Sequence, residues 1–209
     1  MDKNKILDYH LVKKKIRRIS LQIIESNSID DEIIIAGIEN NGYIIAKKIC
    51  NEIKKISDKK IQLCGIKIDK KNPRKEITVS LVEEQYKNKS VVIVDDVLNS
   101  GSTLMYAVKY FLDTKLKKLK TAVLVDRNHK KYPIKADYKG LSLSTSIQNH
   151  VEVSINDNEI NRFLVSKKNL ELLWNICQIP DFEKLFNDNY LLLLKEIHLI
   201  FLKLRIYYL

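Results

Sequence analysis

The chain has 209 residues, 45% hydrophobic and 30% charged, with a formal net charge of +11 at pH 7. Such a balance fits a soluble globular protein, one α/β domain with an appendage. Cys50, Cys64 and Cys177 are odd in number and scattered, and His10, His129, His150 and His198 are dispersed, which argues against a disulfide framework or a protein-held transition metal and for a cytoplasmic setting.

Asp2, Lys3 and Lys5 lead straight into an amphipathic pattern, so no secretory signal is expected. Residues 11–24 set Leu11, Val12, Ile16, Ile19, Ile23 and Ile24 against Lys13, Lys14, Lys15, Arg17 and Arg18, the pattern of a helix with a basic face. Ile33, Ile34, Ile35 and Ala36 form a buried strand, followed by a Gly37–Gly42 loop and a helix over residues 43–56. A strand over 61–68, a charged hinge or hairpin tip at 69–75 and a returning strand over 77–82 come next. Val91 to Val94 are four β-branched residues in a row, a buried central strand. A helix follows through Leu104, Ala107, Val108, Phe111 and Leu112, then strands at 121–125, 136–143 and 151–155. Strands alternating with helices predict an α/β fold with a doubly wound, mostly parallel sheet.

A boundary is expected near residue 156, giving a domain over 1–155 and a C-terminal α-helical extension over 156–209. From Asn156 onward seven basic residues balance seven acidic ones, so the whole positive excess lies in the first domain. An anionic partner is implied there, a phosphorylated substrate or nucleic acid. The apolar stretch over 191–202 is interrupted by Lys195, Glu196 and His198, too densely for a membrane span of about 20 apolar residues. A packed helical appendage of unassigned role is expected instead, with an oligomer contact as one candidate.

The chemistry concentrates after Val94. Asp95 and Asp96 are expected at the exposed carboxyl end of that strand, where open α/β sheets bind ligands. Two carboxylates cannot hold a phosphate, but they can accept a ribose diol directly or through Mg²⁺. Val97, Leu98, Asn99, Ser100, Gly101, Ser102 and Thr103 then lead into the next helix. Their N–H groups and hydroxyls lie at the positive helix end that favours an anion, and Gly101 permits close backbone approach. Acids for sugar hydroxyls beside N–H groups for a phosphate imply a ribose 5-phosphate. A Walker-type nucleotide site would need a glycine followed by Lys, and none of the five glycines has one. Asn40, Asn41 and Gly42 close the other strand-to-helix loop, which can wrap a diphosphate.

The Asp95–Thr103 segment resembles the phosphoribosyl pyrophosphate (PRPP) motif of type I phosphoribosyltransferases. A second series carries the resemblance further. Asp126-Arg127-Asn128-His129, Tyr132-Pro133-Ile134-Lys135, Ala136-Asp137-Tyr138-Lys139-Gly140 and Ser144-Thr145-Ser146 occur in the order seen in the pyrimidine operon attenuators that are also uracil phosphoribosyltransferases. Asp95-Asp96-Val97-Leu98 is also that subfamily's version of the acid pair.

The resemblance implies that Asp95 to Thr103 bind PRPP, with Asp95 and Asp96 as the catalytic acids that position the diol. Asn40, Asn41 and Gly42 would form the pyrophosphate loop, while Lys70, Arg127 and Val151 would lie on the hood and base side. It further implies Mg²⁺, PRPP and a nucleobase (a pyrimidine such as uracil) as ligands, a homo-oligomer, and no membrane partner. Three departures stand out. Asn41 replaces a loop arginine, Ser102 replaces the arginine of the PRPP loop, and Asp69-Lys70-Lys71-Asn72 replaces an aromatic-Arg-acid-acid run. Each lost arginine removes bidentate bonds that lysine replaces only in part. The alternative class is a nucleotide-sensing, RNA-binding regulator of pyrimidine genes with little catalysis, using the basic face at Lys13–Arg18 and the lysines at 115–120.

Overall fold

The computed structural model describes residues 4–5, 7, 9–127, 130–143, 149–154 and 162–167. After a two-residue β1 (Asn4–Lys5) comes α1 (Tyr9–Ser26), then β2 (Glu32–Ile38), α2 (Asn41–Ile56) and β3 (Lys60–Lys67). A short β4 (Thr78–Val79) and the one-turn α3 (Glu83–Tyr86) lead into β5 (Ser90–Leu98) and α4 (Ser102–Leu112). The chain continues through β6 (Lys118–Asp126), β7 (Tyr138–Ser142), β8 (Asn149–Ser154) and β9 (Arg162–Lys167).

Six strands make the main sheet in the order β4-β3-β2-β5-β6-β7, all parallel except β4 on the edge. This is the doubly wound sheet expected from the alternation of strand and helix patterns. Along the two central strands successive side chains enter opposite cores, as a period of two requires. Ile33, Ile35, Val92 and Val94 pack with Val12, Ile16, Ile19 and Ile23 of α1 and with Ile45, Ile49 and Ile53 of α2. Ile34, Ala36, Val91 and Ile93 pack with Tyr86 of α3 and with Leu104, Ala107 and Phe111 of α4. Both faces are covered, which is why these strands read as unbroken apolar runs.

Two local differences from the sequence reading appear. The strand expected over 77–82 is only Thr78–Val79, paired antiparallel with Ile66 and Lys67. Beyond it the Ser80 hydroxyl accepts the Gly65 N–H, and Val82 already begins the α3 turn. Residues 162–167, assigned to a helical extension, are strand β9, in a second sheet of order β1-β9-β8. Phe163 and Val165 favour a strand, a preference too short to read against the long apolar pattern that follows. The remainder of the expected extension, together with Asn128, His129 and Ser144-Thr145-Ser146, lies outside the described residues.

At the amino ends of β5 and β6 a buried acid fastens the layers. Asp30 accepts a hydrogen bond from Ser90 Oγ at 2.7 Å and pairs with Lys117 and Lys118. Lys118 Nζ also reaches the Ser26 carbonyl at 2.6 Å, tying in the end of α1. The hydrogen bond from Lys117 outweighs burial and, with Ser90 and the Lys118 charge, holds the Asp30 carboxyl down at about 2. A depressed acid stabilises the fold above its unfolded value and loses that contribution as pH falls toward 2. Asp30→Asn should therefore cost about 2 kcal/mol at pH 7, and that cost should fade between pH 4 and pH 2. Thermal melts of both proteins across that range check this, and a gap that does not change with pH would count against the assignment.

Candidate active site

The connections out of β2 and β5 run in opposite directions, β2 through α2 to β3 and β5 through α4 to β6. The adjacent carboxyl ends of β2 and β5 are thus the switch point of the sheet, where a ligand crevice opens. The register then places the acids. β2 pairs with β5 only as far as Gly37 opposite Val94, whereas β5 stays paired with β6 through Asp95–Val123, Val97–Val125 and Leu98–Asp126. Contrary to the expectation from the sequence, Asp95 and Asp96 therefore do not follow the strand. They ride on it, along the part that has outrun β2. Nor is the strand end exposed: Asp95 is 4% accessible. The four β-branched residues hid this, because a charge normally marks the end of an apolar run.

Both acids are engaged. Lys70 Nζ lies 3.1 Å from Asp95 Oδ1 and 3.5 Å from Asp96 Oδ1. Asn41 Nδ2 donates to Asp96 Oδ2 at 2.8 Å, and the Asp96 amide donates to Asp95 Oδ1 at 2.9 Å. Burial, reinforced by the adjacent Asp96 charge, pushes Asp95 up to about 7 against the pull of Lys70. Burial acts on Asp96 too, but Lys70 and the bond from Asn41 hold it below the usual carboxylate value. Lys70 is desolvated, yet the two acids raise its value above that of a free lysine. Sequence reading put Lys70 on the hood; the structure puts its ammonium on the acid pair.

The segment after β5 takes the expected form. Gly101 has φ of 82° and caps α4, whose first turn begins at Ser102. The Ser100 carbonyl accepts the amides of Lys131 and Tyr132, and Ser100 Oγ accepts the Ser102 amide at 3.3 Å. Ser102 and Thr103 are half-buried at the helix start and Asn99 is exposed. Across the crevice, Asn40 precedes α2 with φ of 68°. A Cβ on Gly42 would lie 2.9 Å from the Val94 carbonyl oxygen and 3.2 Å from Asp95 Cα, so only glycine lets α2 seat on β5. Two helix amino ends, each with N–H groups lacking intrahelical acceptors, thus flank the acid pair of buried Asp95 and half-buried Asp96.

On the β6 side, Arg127 is buried and its Nη1 donates to Asn99 Oδ1 at 3.0 Å, with burial lowering its value. Sequence reasoning passed over Asp126 as a site element. It is buried, with Lys139 Nζ at 2.7 Å and Lys130 Nζ at 3.3 Å. The signal was present: Asp126 ends an apolar run as Asp95 does. Val151 lies on β8. A separate cleft of about 340 Å³ between residues 73–77 and α4 contains none of the expected site residues.

Residues 2–158 match the phosphoribosyl transferase domain model. The bifunctional protein PyrR of Enterococcus faecalis is 32% identical over 179 residues, 81% of this chain and 99% of that protein. Its counterpart from Clostridium botulinum is 34% identical over 163 residues, covering 74% and 91%. Among solved structures, the hypoxanthine phosphoribosyltransferase of Trypanosoma cruzi has the same fold, with a TM-score of 0.64 at 15% identity over 78% of this chain and 95% of that one. The PRPP-like segment on β5, the switch-point geometry and these matches converge, and the chain belongs to the phosphoribosyltransferase family.

Proposed function

We propose that this chain transfers ribose 5-phosphate from PRPP to a pyrimidine base, uracil first among candidates, releasing pyrophosphate. The observation that carries this is the pairing of Asp95 and Asp96 with the Gly101-capped start of α4 at the sheet's switch point. In this reading the acids fix the ribose diol, and the amides and hydroxyls from Ser100 to Thr103 hold the 5-phosphate. The amino end of α2, at Asn40, Asn41 and Gly42, faces the pyrophosphate. Positive charge should build on the ribose ring as the pyrophosphate leaves, so the chain's contribution is mainly electrostatic positioning. Arg127 and Val151 are assigned to the base side.

The residues suit Mg²⁺. A cationic group, the Lys70 ammonium, already sits on the two carboxylates, showing that their chemistry favours positive charge there. Asp95 and Asp96 would hold the ion with PRPP, and bound Mg²⁺ would neutralise charge on the departing pyrophosphate.

Release of pyrophosphate, measured with PRPP and Mg²⁺ against a panel of bases, tests the proposal. Uracil-dependent release is the expected result, and no release with any base would refute turnover. A regulatory reading has its own support: Lys13, Lys14, Arg17 and Arg18 are exposed along α1, and the bacterial relatives are named bifunctional. If that face binds RNA, affinity should fall steeply with salt. Binding that is absent at low salt would remove this second reading.

A further inference from the structure

Building on the reading of the acid pair as the sugar and Mg²⁺ site, we propose that Lys70 is a transferable counter-ion. Its ammonium neutralises Asp95 and Asp96 while the site is empty, and passes to the pyrophosphate when PRPP occupies the acids.

Three features carry this. First, the cation is in the ligand's place. Lys70 Nζ contacts Oδ1 of both acids, at 3.1 and 3.5 Å. A metal or a diol hydroxyl binding those oxygens must displace it, and a buried carboxylate cannot be left without a partner. Arrival of the ligand and departure of the lysine are therefore one exchange.

Second, the arm is built to move while its base stays put. The turn that carries Lys70 is braced by Asp69, whose Oδ1 accepts the amides of Lys71 and Asn72 and whose Oδ2 pairs with Lys75 at 2.8 Å. The Lys70 side chain itself is 40% exposed, a four-carbon stem that can swing from a fixed backbone.

Third, the pyrophosphate loop has no cation of its own. It offers Glu39, Asn40, Asn41 and Gly42. Asn41 holds Oδ2 of Asp96 while Lys70 faces Oδ1 of the same carboxylate, so the released ammonium stands one carboxylate away from that loop. Lysine from the 69–75 turn thus supplies the charge that the loop lacks.

The test uses the full chain with Lys70→Met and Lys70→Arg, each shown to fold by its circular dichroism melt. Electron paramagnetic resonance would follow binding of Mn²⁺ alone, and calorimetry the binding of inorganic pyrophosphate with Mg²⁺. Removing the resident cation in Lys70→Met should tighten Mn²⁺ binding by about tenfold and weaken pyrophosphate by about tenfold, with Lys70→Arg near wild type in both. Equal Mn²⁺ affinity in the wild type and Lys70→Met would overturn the exchange, and unchanged pyrophosphate affinity would overturn the transfer. A wild type that ignores PRPP would sink the proposed function instead, and that arm is read independently of these two.

Discussion

Asp95→Asn is expected to abolish PRPP binding while making the free protein more stable above pH 7. The two effects have one origin. Burial and the neighbouring Asp96 raise the Asp95 carboxyl to about 7 in the folded chain, against 3.8 for an ordinary aspartate. An acid raised on folding keeps its proton more tightly in the folded state. Its fold is therefore favoured at low pH, and stability declines as pH climbs from about 4 to about 7. The full shift would correspond to about 4 kcal/mol, but Lys70 and Asp96 share the charge. A gain of about 1–2 kcal/mol for Asp95→Asn at pH 8, shrinking toward pH 5, is the expected size. Calorimetry with PRPP and thermal melts at both pH values check the pair of effects. Unchanged PRPP affinity would remove Asp95 from the site. A stability difference that does not move with pH would mean that the carboxyl is not strained by burial.

Gly42→Ala should disrupt the candidate site with a single methyl. The new Cβ would meet the Val94 carbonyl oxygen at 2.9 Å and Asp95 Cα at 3.2 Å, backbone atoms of a central strand that cannot step aside. The amino end of α2 must retreat instead, at a cost of about 1–3 kcal/mol. That retreat carries Asn41 away from its 2.8 Å bond to Asp96. Pyrophosphate affinity should fall more than stability does. If melts and pyrophosphate titrations both match wild type, the close seating of α2 on β5 is wrong.

Much of this was legible in the chain itself. Ile33 to Ala36 and Val91 to Val94 announced central strands because both sheet faces are covered, and Gly101 marked the turn after β5; the loop expected over Gly37–Gly42 is shorter, since Gly37 is still paired in β2 and Gly42 is already in α2. Lys70 was legible as a charged hinge residue and, through the resemblance, as a hood residue, but its pairing with the acids was not, since its partners lie 25 and 26 positions away and no local pattern encodes that reach. The Asn41 bond to Asp96 spans 55 positions and was hidden for the same reason. The acids' place within β5 was missed because strand length depends on the neighbour: β6 continues the ladder after β2 has stopped. Asp30 went unread because a lone aspartate looks like surface until its lysines are brought to it, and Asp126 was read as part of a motif without the lysines that hold it.

The extra reach of β5 has a consequence for how the chain can vary. A carboxylate pair on a loop could drift by a residue and recover through backbone rearrangement. On a hydrogen-bonded strand, inserting or deleting one residue between Val94 and Val97 reverses which side of the sheet every later side chain meets. Spacing there is quantised. The two arginine-to-small-residue departures, at Asn41 and Ser102, fall instead at helix beginnings, where identity can change without disturbing register. The geometry thus divides the crevice into a part where positions such as Asn41 and Ser102 can change spelling and a part whose count cannot change.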